Sequence, residues 1–161
     1  PAVSGQPAVG VGAPHHTPGP ITLFDPPSES GPNASFVVDI AAADHHAAAV
    51  THGGGLYTWG ANDFARLGVK EAGEVAQPTR VATLAHVRVC GVACAAYSTL
   101  VTVGNGTVFT MGGRPGGAAT PEAMAMPTPL ELPEGASAVA AGGYHMAALV
   151  GGRVKSKHAS P

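Results

Sequence analysis

The chain has 161 residues and a formal net charge of −2, with 11% charged and 5% aromatic residues. It carries 23 Gly and 15 Pro, and with about 30 Ala these three residue types fill roughly two-fifths of the sequence, far above ordinary globular usage. A near-neutral balance argues against nucleic-acid binding, which needs a strongly basic face; the absence of any run of eighteen apolar residues argues against a transmembrane helix; the length allows one domain.

Residues 1–35 hold eight prolines and few large apolar side chains. Such a segment cannot bury enough surface to offset its ordering entropy, so it reads as a Pro/Gly-rich arm or linker, with Ile21, Leu23 and Phe24 as its anchors on a partner. It has neither the basic-then-apolar pattern of a secretory signal nor the Arg and Ser of a transit peptide. From Phe36 onward the pattern changes. Short apolar runs at residues 36–40, 47–51 and 56–60 are strand-length, partly β-branched or aromatic, and separated by Gly-rich turns. Residues 43–49 are Ala-rich enough for a helix by propensity, but the run is too short and is bounded by turn signals, which favours strand.

The organising feature is an internal repeat. Shifted by 52 residues, 40–60 falls on 92–112 without a gap: Ile40 on Val92, Leu56 on Val108, Tyr57 on Phe109, Trp59 on Met111, Gly54 on Gly106 and Gly60 on Gly112. A third copy begins at Val139 and places Tyr144 on Tyr97 and His145 on Ser98. Self-similarity near fifty residues marks a repeat architecture, most often a propeller. Asn105-Gly106 between two β-type runs is a tight-hairpin signal, and Gly53-Gly54-Gly55 holds the same place in the first copy. The expected fold is all-β: a partial β-propeller of two full blades plus the start of a third. Its boundaries are 36–86, 87–137 and 138–161, behind the arm at 1–35. Each copy reads as two or three strands followed by a Pro-containing return, at residues 61–83 and 113–135.

Cys90 and Cys94 are the only cysteines. Four residues apart on a strand, their α-carbons lie roughly 13 Å from each other, too far for a disulfide. They read as two small buried thiols of a reducing compartment, and their spacing is not that of a metal site.

These residues resemble the repeat of the regulator of chromosome condensation family. The first copy supplies His45-His46, Gly54, Tyr57-Thr58-Trp59-Gly60, Asn62, Leu67-Gly68 and Pro78; the third supplies Ala141-Gly142-Gly143-Tyr144-His145. The second copy departs from the pattern, with Met111 for the Trp and Ser98 for the His. The resemblance covers residues 36 to about 154. It implies a seven-bladed propeller, of which this chain holds too little to close the ring. An unclosed propeller leaves sheet edges and faces open, and repeat modules draw stability from their neighbours. Company is therefore expected, either from further blades or from other chains.

The repeat positions His46, Tyr57, Trp59, Gly60, Tyr97, Asn105, Gly106, Gly112, Tyr144 and His145 are expected to be structural. His46 and His145 are read as imidazoles bonded to backbone, and Tyr57 and Trp59 as packing between blades. His15-His16 in the arm and the basic tail Arg153, Lys155, Lys157 and His158 are read as solvated, and Asn33 and Asn105 as unused glycosylation patterns. No phosphate loop, zinc-protease helix, nucleophile elbow or paired-carboxylate motif is present, so no catalytic residue, metal or cofactor is assigned. The leading function is a non-enzymatic protein–protein interaction or scaffold module within a larger complex, expected in the cytoplasm, with a ciliary, axonemal or cytoskeletal assembly as its setting. Its contacts are expected from loops after the Trp-Gly and Met-Gly positions: Asn62, Asp63, Phe64 and Arg66, then Arg114 and Glu122. The resemblance implies two alternatives, guanine-nucleotide exchange on a small GTPase and chromatin binding.

Overall fold

The computed structural model describes residues 36–113 and 126–158. The arm at 1–35, with its anchors, His15-His16 and Asn33, lies outside the described residues, as do Arg114 and Glu122. Three antiparallel sheets follow one another along the chain. The first is β1 (Val37–Ala42), β2 (His46–Thr51), β3 (Leu56–Ala61) and β4 (Glu74–Arg80), in that spatial order. The second is β5 (Val89–Cys94), β6 (Ser98–Val103), β7 (Val108–Gly112) and β8 (Thr128–Leu130). The third is β9 (Ala136–Ala141), β10 (His145–Val150) and β11 (Arg153–His158). The architecture is a partial propeller.

The repeat seen in the sequence is a repeat of register. The pair His46↔Gly60 recurs as Ser98↔Gly112, and Ala49↔Tyr57 as Val101↔Phe109. The Ala-rich run is strand, because its alanines pair with β1 on one side and with β3 on the other. Two strands go beyond the sequence reading. β4 contains Pro78 and β8 contains Pro129, and their prolines had marked them as returns. Each is the outer strand of its sheet, where a residue without an N–H leaves no ladder bond unmade.

The core lies between sheets. β5 packs on β1 and β2, and β9 packs on β5 and β6. Because side chains alternate across a strand, β6 serves both neighbours. Val101 and Val103 join Ala48, Val50 and Leu56 of the first sheet, whereas Leu100 joins Ala148 and Val150 of the third. The same alternation leaves two faces without a neighbour among the described residues. Val38 and Ile40 on β1 are 57% and 73% exposed, and on the far side Leu149 and its cross-strand partner Val154 are 37% and 69% exposed.

Main-chain bonds join the sheets at their turns. Val89 N–H donates to Gly54 O at 3.1 Å, and Ala136 N–H donates to Gly106 O at 2.8 Å, the same bond at successive boundaries. Gly106 has φ +84°, and a Cβ there would lie 2.7 Å from Gly135 Cα, so the hairpin admits only glycine. A side-chain bond adds to this: Val92 N–H donates to Asp39 Oδ2 at 3.0 Å. Cys94 is buried, but Cys90 is exposed, contrary to the expectation of two buried thiols. An irregularity in the β5–β6 pairing between Val89 and Gly91 disturbs the alternation there.

Candidate functional site

The expected contact loop leaves the end of β3. Ala61 N–H donates to His45 O at 2.8 Å and Asn62 N–H to Gly73 O at 2.7 Å, so the loop from 62 to 73 closes on itself. Asn62 organises it from inside. Its Oδ1 accepts Leu67 N–H at 3.0 Å, while Nδ2 donates to Val69 O at 3.3 Å and also to Glu71 O. Thr58 Oγ1 donates to Leu67 O at 2.8 Å. Within the 3-10 turn Asp63–Ala65, Phe64 and Ala65 have φ +60° and +55°. Among the described residues they are the only non-glycine residues with positive φ, a conformation that costs L-residues energy and persists only when its surroundings enforce it.

Arg66 is central to that enforcement. It is 2% exposed. Its Nε donates to Asp63 O at 2.9 Å, its Nη1 donates across the blade boundary to Ala96 O at 2.8 Å, and its Nη2 lies 3.5 Å from Asp63 Oδ2. The guanidinium also sits 5.9 Å from the ring centroids of Phe64 and Tyr97, within cation–π range. Burial lowers its pKa from the usual arginine value, against the opposing pull of Asp63. Gly113 N–H donates to Phe64 O at 3.1 Å, so the second blade holds the loop as well.

Beside it runs a buried relay. The Arg66 carbonyl accepts the Thr99 hydroxyl proton at 2.7 Å. That hydroxyl has one proton to give, so the 2.8 Å contact with His46 Nε2 is a donation from His46. The Nε2–H tautomer leaves Nδ1 as a buried acceptor without a hydrogen-bond partner. Burial first, then the Arg66 charge and His45, push the His46 pKa down from 6.5 to about 4. The imidazole is therefore neutral near pH 7, and it ties the first blade to a side chain of the second where a bond to backbone had been expected. Gly112 completes the junction. At φ +86°, a Cβ there would lie 2.5 Å from Tyr97 O and 2.7 Å from Arg66 Cα.

Above these buried groups lies an aromatic strip drawn from three blades. Phe64 meets Tyr97 edge-on, with centroids 5.5 Å apart and an interplanar angle of 88°. Tyr97 meets Tyr144 at 6.0 Å and 52°. A hydrogen bond with Tyr97, and then the charge of that phenol, raise the Tyr144 pKa. Ala96 N–H donates to Gly143 O at 3.1 Å, which fixes the spacing of the two tyrosine-bearing turns.

The six proposed contact residues therefore divide. Asp63 is exposed and Phe64 is partly exposed. Asn62 and Arg66 are buried, at 8% and 2%, so a place on the loop surface is corrected for both: their polar atoms are engaged by backbone. Arg114 and Glu122 fall outside the described residues. Of the repeat positions, His46 and Tyr57 are buried, Trp59 and Tyr97 are half-buried, and Asn105, Tyr144 and His145 are exposed. Thr107 N–H donates to Asn105 Oδ1 at 2.9 Å, and Gly60, like Gly112, has positive φ. Sequence reasoning missed Thr99 and the joining of Phe64 to the tyrosines. The relay had a visible trace only in Ser98, the residue aligned with His46, one position away. Among the described residues no group of three His, Cys, Asp or Glu could hold a metal ion.

Comparison with known proteins gives the geometry a context. Residues 53–102 match the Regulator of chromosome condensation (RCC1) repeat. The chain is 38% identical over 78 residues to the E3 ubiquitin-protein ligase HERC2 of Homo sapiens, covering 47% of this chain and 2% of that protein. It is 35% identical over 133 residues to Protein pim1 of Schizosaccharomyces pombe, covering 70% of this chain and 24% of that protein. The crystal structure of Prp20p from Saccharomyces cerevisiae, described with its binding properties to Gsp1p and histones, superposes with a TM-score of 0.64 at 25% identity, over 77% of this chain and 33% of that one. The chain thus spans no more than about a quarter of these two curated relatives.

Proposed function

Because the chain is a partial propeller of the RCC1-repeat family, we propose that it works as a non-enzymatic protein–protein interaction module, a propeller segment built into a larger assembly. The observation that carries this reading is the pair of apolar outer faces, Val38 and Ile40 on one flank and Leu149 and Val154 on the other. Contiguous exposed apolar surface of this kind marks a protein contact, and in a repeat architecture it is where the next unit stacks. The occupants are further blades or other chains of a complex. Prp20p, which is described as binding Gsp1p and histones, supports an interaction role. Two free cysteines in one strand fit a reducing compartment such as the cytoplasm, and a cytoskeletal or ciliary assembly is the setting we put forward.

Size-exclusion chromatography with light scattering on the full chain tests the reading. Concentration-dependent association is expected, and it is lost when Ile40→Lys and Val154→Glu charge the two faces. A monomeric chain with a cooperative thermal transition, unchanged by those substitutions, overturns it. Guanine-nucleotide exchange is the second reading, favoured by a 34% identity over 76 residues to the X-linked retinitis pigmentosa GTPase regulator of Homo sapiens. Accelerated nucleotide release from a small GTPase on addition of the chain would establish it.

A further inference from the structure

We propose that the arm at residues 1–35 docks on the outer face of the first sheet and seats Ile21, Leu23 and Phe24 against Ala49, Thr51 and Tyr57. The inference stands apart from the interaction reading above. Three observations converge on it.

The first is burial on a face that has no neighbouring sheet. Ile40 pairs with Ala49, and Ala49 pairs with Tyr57. Cross-strand partners share a face, so this row points away from the second sheet. In the later blades the same row is covered by the preceding sheet: Val101 and Phe109 pack with the first sheet, and Ala148 packs with the second. No sheet precedes the first among the described residues, yet Ala49, Thr51 and Tyr57 are only 2%, 1% and 4% exposed. A tyrosine carries about 150–250 Å² of surface to hide, and Ala49 and Tyr57 belong to neither core cluster that the described residues build. On the far flank, by contrast, Leu149 and Val154 lie open. A cover therefore sits over β2 and β3 and leaves Ile40 of β1 outside it.

The second observation is where the chain enters. The arm joins the sheet at Phe36, whose carbonyl accepts His52 N–H at 2.7 Å, beside Thr51 at the rim of this face. From Phe24 to Phe36 an extended chain reaches about 40 Å, whereas a six-residue strand is about 20 Å long. Residues 114–125 join β7 to β8 within the second sheet, and 159–161 follow β11 of the third.

The third observation is the repeat, and it selects the side chains. Val81 and Leu84, after Pro78, belong to the core between the first and second sheets; Leu130 and Leu132, after Pro129, pack in the core between the second and third. Each core thus takes an apolar pair from the chain just ahead of the incoming blade. Ahead of β1 the arm reads Pro20-Ile21-Thr22-Leu23, the spacing of Pro129-Leu130-Glu131-Leu132, followed by Phe24. These are the only Ile, Leu and Phe of the arm. Seated there, the arm confines partner contact on this flank to Val38 and Ile40 of β1.

The test replaces Phe24 by the photoreactive p-benzoylphenylalanine in the full chain. Irradiation is expected to crosslink the arm to the β2–β3 hairpin of the same chain, read by mass spectrometry of the digest. Crosslinks confined to other residues, or formed only between two copies, overturn the inference. A second variant combines Ile21→Ser, Leu23→Ser and Phe24→Ser. Trp59, the only tryptophan, lies two residues from Tyr57 on β3 and so on the same face; its acrylamide quenching should rise about twofold. Tetranitromethane should nitrate Tyr57 several-fold faster, while Tyr144, already 52% exposed, reacts at the parent rate. Protection of Cys94 from a thiol reagent reports that the fold is intact; if Cys94 becomes reactive, the crosslink alone decides. If Tyr57 and Trp59 behave as in the parent chain while Cys94 stays protected, the inference fails. The open surface at Leu149 and Val154, and the interaction reading drawn from it, are untouched by that failure.

Discussion

Replacing Thr99 with Val removes one hydroxyl at nearly constant volume, and that hydroxyl connects two blades. It accepts the His46 Nε2–H at 2.8 Å and donates to the Arg66 carbonyl at 2.7 Å. Thr99 is 0% exposed and His46 is 3% exposed, so solvent does not take its place. The substitution leaves a buried donor and a buried acceptor without their partner, and each such orphan costs about 1–3 kcal/mol. The added methyl returns about 0.8 kcal/mol, so the expected net loss is about 3 kcal/mol. Amide hydrogen exchange in the full chain is the suitable assay, because it reads local opening whatever the state of assembly. At 1.36 kcal/mol per tenfold, protection of the β6 amides should fall by about two orders of magnitude. Thr99→Ser keeps the hydroxyl and should lose far less. If Thr99→Val exchanges within threefold of the parent chain, or if the Ser variant is equally deprotected, the relay does not hold the blades together.

Other consequences are as direct. The unfolded chain protonates His46 below pH 6.5, whereas the folded chain resists until about 4. Its contribution to stability is therefore complete above pH 6.5 and shrinks as pH falls toward 4, by about 3 kcal/mol in all; chemical denaturation over that range checks this, and His46→Gln should flatten the slope. Gly112→Ala places a side chain at φ +86° and drives its Cβ against Tyr97 O and Arg66 Cα, so a loss of about 2–4 kcal/mol is expected in denaturant melts. Cys90 is exposed, whereas burial raises the Cys94 pKa to about 12. A thiol reagent at pH 8 should label Cys90 and spare Cys94 until the chain is denatured, as mass spectrometry of the digest would show.

The fold was legible because a repeat multiplies weak signals. Neither residues 47–51 nor residues 98–103 declare a strand alone, but their alignment at constant spacing, with Gly54 over Gly106, fixed the hairpins. The outer strands β4 and β8 were hidden by their prolines, which are penalised in a sheet interior and tolerated at its edge. The site was legible in position and not in depth. The loop after Trp59-Gly60 was read as a contact surface; on it Asp63 is exposed and Phe64 is partly exposed. Arg66 could not be placed, because a charged residue on a loop is ordinarily solvated. What buries it is the Ala96 carbonyl, thirty residues away in sequence. The relay through Thr99 likewise depends on how two blades meet, which no local pattern encodes.

The bond from each blade's first strand to the preceding hairpin, Val89 to Gly54 and Ala136 to Gly106, has a consequence for how such a chain can diverge. It engages only peptide groups, so it dictates where a blade sits without dictating what the blade is made of. Side chains elsewhere are released to change, which is how Met111 can stand where the first copy has Trp59 and Ser98 where it has His46, while the pitch from one sheet to the next is preserved. A lineage built this way can rewrite its surfaces blade by blade and keep its geometry, provided the glycines at the hairpins are left alone.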